Sequence, residues 1–225
     1  MKTLAWPCAL RYLESVRLFL VRHGETEYNR LGRALGRYDI PLNEKGREQA
    51  RRLAGALARE PFAAIYSSPL QRCLDTAMAI AAVHGLPVQT LPELIEMDIG
   101  EAEGLTYAQV RERFPGLLQR WLSPEAASMA LPGGEGLAAV QERAWRAIES
   151  IAAAHRGETV AVVTHNFVIL SLLARALGMP LGSFRRLRHG VAAVSVLELD
   201  GEAVTLVRFN DTCHLEEGPS APWVE

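Results

Sequence analysis

Cysteine is scarce in this sequence and long apolar runs are missing, and each absence narrows what the chain does. The three cysteines, Cys8, Cys73 and Cys213, are scattered, odd in number and without metal-ligand spacing. They argue against a disulfide framework and for a reducing, cytoplasmic setting. No apolar stretch approaches the roughly 20 residues that a helix needs to span a bilayer. Charge of one sign is missing too. A net charge of −2 supplies no basic field for nucleic acid or an anionic membrane, so any positive charge that function needs has to be gathered locally. Nor is there a Ser/Gly-rich linker, a low-complexity tract or an internal period. With 225 residues and 49% hydrophobic content, one core is the expectation. The opening MKTLAWPCALRYLESV has one lysine and a short apolar patch broken by proline, a poor match to a signal peptide. Residues 1–16 read as an N-terminal extension, 17–215 as one domain and 216–225 as a tail.

What is present is an alternation of apolar runs and amphipathic helical patterns. Residues 17–22, 62–66 and 159–164 read as buried strands, the last ("TVAVVT") apolar throughout its core as parallel strands are. Asn43 opens a helix with Ala50, Leu53, Ala54 and Leu57 on one face. A second helix starts near Pro69, a short extended piece lies near 87–90, and a helical segment spans about 106–122. After "LPGGEG" comes a long helix with Leu137, Val140, Ala144, Ile148 and Ile151 on its buried stripe, and another occupies about 167–177. Two last strands, 191–199 and 203–209, flank Asp200-Gly201, a hairpin signal. The expected fold class is α/β, a three-layer α/β/α sandwich with a mostly parallel central sheet and an antiparallel C-terminal portion.

In such sheets ligands bind beyond the carboxyl ends of the parallel strands. The residues expected there are Arg22-His23-Gly24, Ser67-Ser68-Pro69 with Arg72 one turn further on, and His165-Asn166. Two arginines and two histidines on one rim resist a packing explanation. Guanidinium forks match phosphate oxygens and stay charged at any working pH. A neutral histidine between them is a usable nucleophile. Phosphoryl transfer asks for little beyond alignment and charge neutralisation, and Arg22, Arg72, Asn29 and His165 supply such a cradle without a metal ion. Gly24 would let substrate approach the backbone. Asn166 suits the cap of the helix it begins.

A leaving oxygen also needs a proton. "ELIEMDIGEAEG" offers Glu93, Glu96, Asp98, Glu101 and Glu103, and a carboxyl facing a bound dianion has its pKa raised. A second Arg-His-Gly triplet, at 188–190, precedes a strand instead of following one. If that strand is antiparallel it begins on the same rim, and His189 then either packs there or touches the organic part of a substrate. His214 leaves a similar choice between a tail folded across the entrance and a structural role.

Several ordered motifs now agree: Arg22-His23-Gly24-Glu25-Thr26 with Asn29 close behind, "PLNEKGREQA" and "IYSSPLQRCLDTA". From about Arg17 to Leu215 the chain resembles the histidine phosphatase superfamily, which includes cofactor-dependent phosphoglycerate mutases. The resemblance implies a transiently phosphorylated His23, with Arg22, Asn29, Arg72 and His165 holding the phosphoryl group and Glu96 as proton donor. It also implies Gly36 and Asn166 at the substrate pocket, no metal and no cofactor. The implied partner is a small-molecule phosphomonoester, with neither nucleic acid nor membrane, and a homodimer is left open. Three positions depart from the family pattern: Leu35 where glutamine is frequent, Ala102 where tryptophan is common, and Asn166 where many relatives have glycine. Mutases of the family have a long basic insertion after the Glu96 region. Here 105–132 holds a short helical stretch with Arg111, Arg113 and Arg120. The expected activity is therefore a metal-independent phosphomonoester hydrolase of small metabolites working through a phosphohistidine. Candidate substrates are α-ribazole phosphate, phosphoserine, and sugar or glycerate phosphates. The alternatives are a cofactor-dependent phosphoglycerate mutase and a non-catalytic regulatory or binding protein on the same fold.

Overall fold

Strand β1 (Val16–Arg22) forms because both of its faces find apolar partners. Val16, Leu18 and Leu20 join one core cluster, while Phe19 and Val21 join another on the opposite side of the sheet. The computed structural model describes residues 15–201 and 203–216, so the expected extension up to residue 14 and the tail beyond Glu216 lie outside the described residues. After β1 come α1 (Glu27–Arg30), α2 (Glu44–Leu57), β2 (Phe62–Ser67), α3 (Gln71–His84) and β3 (Val88–Thr90). Then follow α4 (Tyr107–Arg113), α5 (Leu117–Trp121), α6 (Leu137–Ala154), β4 (Thr159–Thr164) and α7 (Asn166–Ala176). Strands β5 (Val194–Asp200) and β6 (Ala203–Asp211) close the described chain.

The six strands lie in the order β3-β2-β4-β1-β5-β6. The first four are mutually parallel, and β5 and β6 continue the sheet antiparallel. Leu53 and Leu57 of α2 and Cys73, Ala77 and Ile80 of α3 cover one face. Leu137, Val140 and Ile148 of α6 and Val168 and Ile169 of α7 cover the other. This is the expected three-layer sandwich. Each fully buried Val, Leu or Ile contributes about 1.5–3 kcal/mol, so the strand ends are held from both sides.

Local expectations shift in three places. The helical stretch 106–122 breaks at Pro115-Gly116, where Gly116 takes φ 79° and proline brings no N–H. Helix α3 starts at Gln71 because Leu70 is still extended. Strand β5 starts at Val194 rather than 191, because Ala192 turns the chain with φ 53°. Among the described residues no helix is long and apolar enough to cross a membrane.

Candidate active site

Strand register builds the rim. Arg22 pairs with Thr164 and Ser67 with Val163, so β1, β4 and β2 end side by side. The next residue of each then crosses over: His23 N donates to Thr164 O at 3.1 Å, and Ser68 N to Val163 O at 3.0 Å. His23 and His165 come within 5.3 Å, ring centre to ring centre.

His23 is buried, and its Nδ1–H donates to the Gly24 carbonyl at 2.7 Å. That bond fixes the tautomer and leaves Nε2 with its lone pair. Burial, with the guanidiniums of Arg72 and Arg22, holds the ring well below its ordinary pKa of 6.5, hence neutral. His165 is depressed in the same way, by burial first and Arg72 next. Its Nε2 lies 2.7 Å from Ser68 Oγ.

Both arginines are anchored by neutral acceptors. Arg72 donates from Nη1 to Tyr38 O at 2.8 Å and from Nη2 to Gly36 O at 2.6 Å. Arg22 donates from Nη1 to Asn166 Oδ1 at 3.2 Å and to the His189 carbonyl. In each the Nε is buried without a protein partner among the described residues. A buried and a half-buried cation, both fixed by carbonyls and each with a buried Nε short of an acceptor, suit an anion.

Of the five acids in 93–103, the structure buries only Glu96, which also lines the cavity beside His23. Glu93 and Glu101 are exposed, Asp98 pairs with Arg37, and Glu103 binds the backbone N–H groups of Gly36 and Arg37 at 2.7 and 2.8 Å. Glu96 accepts from Met97 N at 2.8 Å and from Phe167 N at 3.2 Å, the latter in the first turn of α7. Desolvation outweighs these donors and pushes its carboxyl pKa up. Asn29 also lines the cavity, with Oδ1 taken by Thr26 N and Thr26 Oγ1.

Three expectations are corrected, and an open choice at His189 falls to packing. Gly24 does not clear a path for substrate: a Cβ there would meet Gly46 O at 2.6 Å, so the glycine lets β1 run against α2. Gly36 is not in the cavity wall. It lies behind it, where a Cβ would strike Met97 O at 2.7 Å, and serves through its carbonyl to Arg72. Asn166 does not cap α7, whose N-cap is His165 without a side-chain bond; its Oδ1 holds Arg22 while the residue lines the cavity. His189 is also outside the wall. Its buried ring turns into the β5–β6 packing, with Nε2 3.0 Å from Ser195 Oγ and Phe209 edge-on. Its carbonyl, not its ring, reaches the site.

His214 does not cover the entrance. Its Nε2 lies 3.0 Å from Ala192 O, and Ala192 N in turn donates to His23 O at 3.0 Å. Sequence reasoning missed Glu103, which supports the loop holding Arg72. It also missed Arg143, which donates to the Glu96 carbonyl at 3.1 Å while paired with Glu135. Neither carries a spacing signal.

Of the residues expected to hold the phosphoryl group, Arg22 and Asn29 line the cavity and Arg72 and His165 stand outside its wall; the cavity measures about 360 Å³, and Leu35, Ala102 and Asn166 also line it. Arg111, Arg113 and Arg120 do not: Arg113 pairs with Glu101, Arg120 with Glu125, and Arg111 stacks on Tyr107.

The sequence profile of the histidine phosphatase superfamily (branch 1) matches residues 18–212. The chain belongs to this superfamily and is a phosphatase. It is 37% identical over 202 residues to phosphoserine phosphatase 1 of Hydrogenobacter thermophilus, covering 90% of this chain and 95% of that one. Among solved structures, YhfR of Bacillus stearothermophilus superposes with a TM-score of 0.84 at 35% identity, over 89% of this chain and 100% of that one. A mycobacterial glucosyl-3-phosphoglycerate phosphatase in complex with VO3 gives 0.81 at 32%, over 87% and 99%.

Proposed function

We propose that this phosphatase hydrolyses phosphomonoesters of small metabolites through a phosphohistidine at His23. One observation carries the reading: a neutral imidazole with Nε2 unengaged, set between two guanidiniums whose Nε groups have no protein partner. Arg22, Arg72, Asn29 and His165 receive the phosphoryl oxygens, and His23 Nε2 attacks phosphorus in line with the ester oxygen. The P–O ester bond breaks as the N–P bond forms. Glu96, its carboxyl pKa raised by burial, gives its proton to the departing oxygen. Water then attacks the phosphohistidine, Glu96 takes a proton from it, and N–P cleavage releases inorganic phosphate and restores neutral His23. Positive charge at the centre comes from the two arginines, so turnover is expected to survive chelators. Arg111, Arg113 and Arg120, the arginines of the short 105–132 stretch, lie outside the cavity, which supports hydrolysis over the mutase alternative.

The test is rapid quenching of turnover with a ³²P-labelled ester. An acid-labile phosphoenzyme mapping to His23 and absent from His23→Ala supports the reading. Phosphate release by His23→Ala at near-normal rate overturns it.

A further inference from the structure

The cavity that opens on His23 is polar at the strand ends and apolar over most of the remaining wall. Leu105, Val110, Leu117, Leu118, Trp121 and Phe167 form much of that wall. Leu35 and the small side chain of Ala102 extend it. Removing such surface from water is worth roughly 25 cal/mol per Å². A polar alcohol would collect little of this.

The charges in the wall are equally selective. Among the described residues its sole acidic side chain is Glu96, already committed to the proposed proton transfer, and the other charged side chains besides Arg22 are Arg33 and Arg185. The Arg185 guanidinium lies over Trp121 at 5.4 Å and over Phe184 at 5.2 Å, with Nε donating to Trp121 O at 3.0 Å. Stacking fixes the plane and leaves the Nη groups for a further acceptor. Arg33 donates from Nη1 to Gly104 O at 2.7 Å. An ammonium group on a substrate would find two guanidiniums here and no free carboxylate.

Resting on the phosphatase reading above, we propose the substrate class: phosphomonoesters of apolar alcohols of up to aromatic size that carry no ammonium group. Arg185 receives a carboxylate at the far end where the substrate has one. The apolar wall supplies binding strength and the arginine pair supplies discrimination. Amino-acid phosphates, phosphoserine among them, fall outside the class.

The test compares kcat/KM for ethyl, butyl and hexyl phosphate, phenyl and naphthyl phosphate, phosphoserine, and 3-phosphooxypropanoate, which is phosphoserine without its ammonium. Within the alkyl series each methylene is expected to raise kcat/KM about fourfold until the cavity fills, the worth of one buried CH₂. Phosphoserine is expected to be at least about tenfold poorer than its deaminated analogue, and Leu118→Asp, at a half-exposed wall position, is expected to narrow that gap. Arg185→Gln is expected to penalise carboxylate-ended esters and spare phenyl phosphate. A flat alkyl series, or phosphoserine preferred over 3-phosphooxypropanoate, overturns the substrate class while leaving the phosphatase reading in place. Phosphate release from none of the esters overturns both.

Discussion

Arg22-His23-Gly24 leaves β1 and Arg188-His189-Gly190 approaches β5, its antiparallel neighbour, so the two identical triplets reach the same rim from opposite directions. The first histidine spends Nδ1 on the adjacent carbonyl and keeps Nε2 for the cavity. The second commits Nε2 to Ser195 Oγ and lies under Phe209. Arg22 is held at the site, whereas Arg188 is exposed. The triplets also touch: Arg22 Nη1 donates to His189 O, and Asn210 Oδ1 accepts from Gly190 N at 2.7 Å, tying that loop to β6. On the proposed mechanism, the same three residue types thus make a reactive group in one place and its mount in the other. Strand direction and the nearest acceptor decide which.

The largest expected effect separates the two histidines directly. His23→Ala is expected to lower kcat by at least about 10⁴, as loss of a nucleophile does, with the fold intact by circular dichroism. His189→Gln keeps a hydrogen-bonding group toward Ser195 and is expected to cost less than about tenfold. Comparable losses in both would erase the distinction between reactive group and mount.

Next comes the proton donor. Glu96→Gln is expected to cost roughly 10²–10⁴ in kcat for alkyl esters and much less for 4-nitrophenyl phosphate, whose leaving group needs no proton. The pH profile gives the sign. On the proposed mechanism Glu96 has to be protonated, so activity is expected to fall as pH rises through its raised pKa. His23 has to be neutral, and because its pKa is lowered, the acid-side loss is delayed to pH values below those of an ordinary histidine. Loss of the alkaline limb in Glu96→Gln is the checking measurement; an unchanged limb sinks the assignment.

Arg22→Lys then breaks the link between the triplets. The ammonium cannot reproduce the fork toward Asn166, His189 and phosphate, and kcat/KM is expected to drop about 10²-fold. Glu103→Gln acts one step further out, through the loop whose Gly36 and Tyr38 carbonyls hold Arg72. A roughly tenfold loss with an unshifted pH profile is expected, and a shifted profile would place Glu103 in the proton transfer instead.

The rim was legible in the sequence because it rests on local signals, namely where apolar periodicity stops in 17–22, 62–66 and 159–164, together with the rule for strand ends. Glu96 was not separable from its four acidic neighbours by residue pattern, because its burial depends on the start of α7, about 70 residues away. The roles of Gly24 and Gly36 escaped for the same reason: their tight neighbours, Gly46 and Met97, are remote in sequence. His189 could not be decided between packing and substrate contact, because Ala192 adopts a left-handed conformation that an alanine rarely announces and that delays β5.

The smallest effect concerns stability rather than turnover, and it tests the structural half of the comparison. Burial pushes the His189 pKa down to about 4, with Arg22 adding to the shift. In the unfolded chain the same ring titrates near 6.5. As pH falls below about 6.5 the unfolded state takes up the proton first, so stability declines from there until about pH 4, where the native ring charges as well. At pH 5 this one group is expected to cost about 2 kcal/mol relative to pH 7. His23 and His165 are depressed in the same direction and add to the slope. Urea unfolding at pH 7 and pH 5 measures the total, and His189→Gln is expected to flatten it by about the stated amount. An unchanged slope in that variant would mean that the second triplet's ring is open to solvent, and that the mount is held by Asn210 alone.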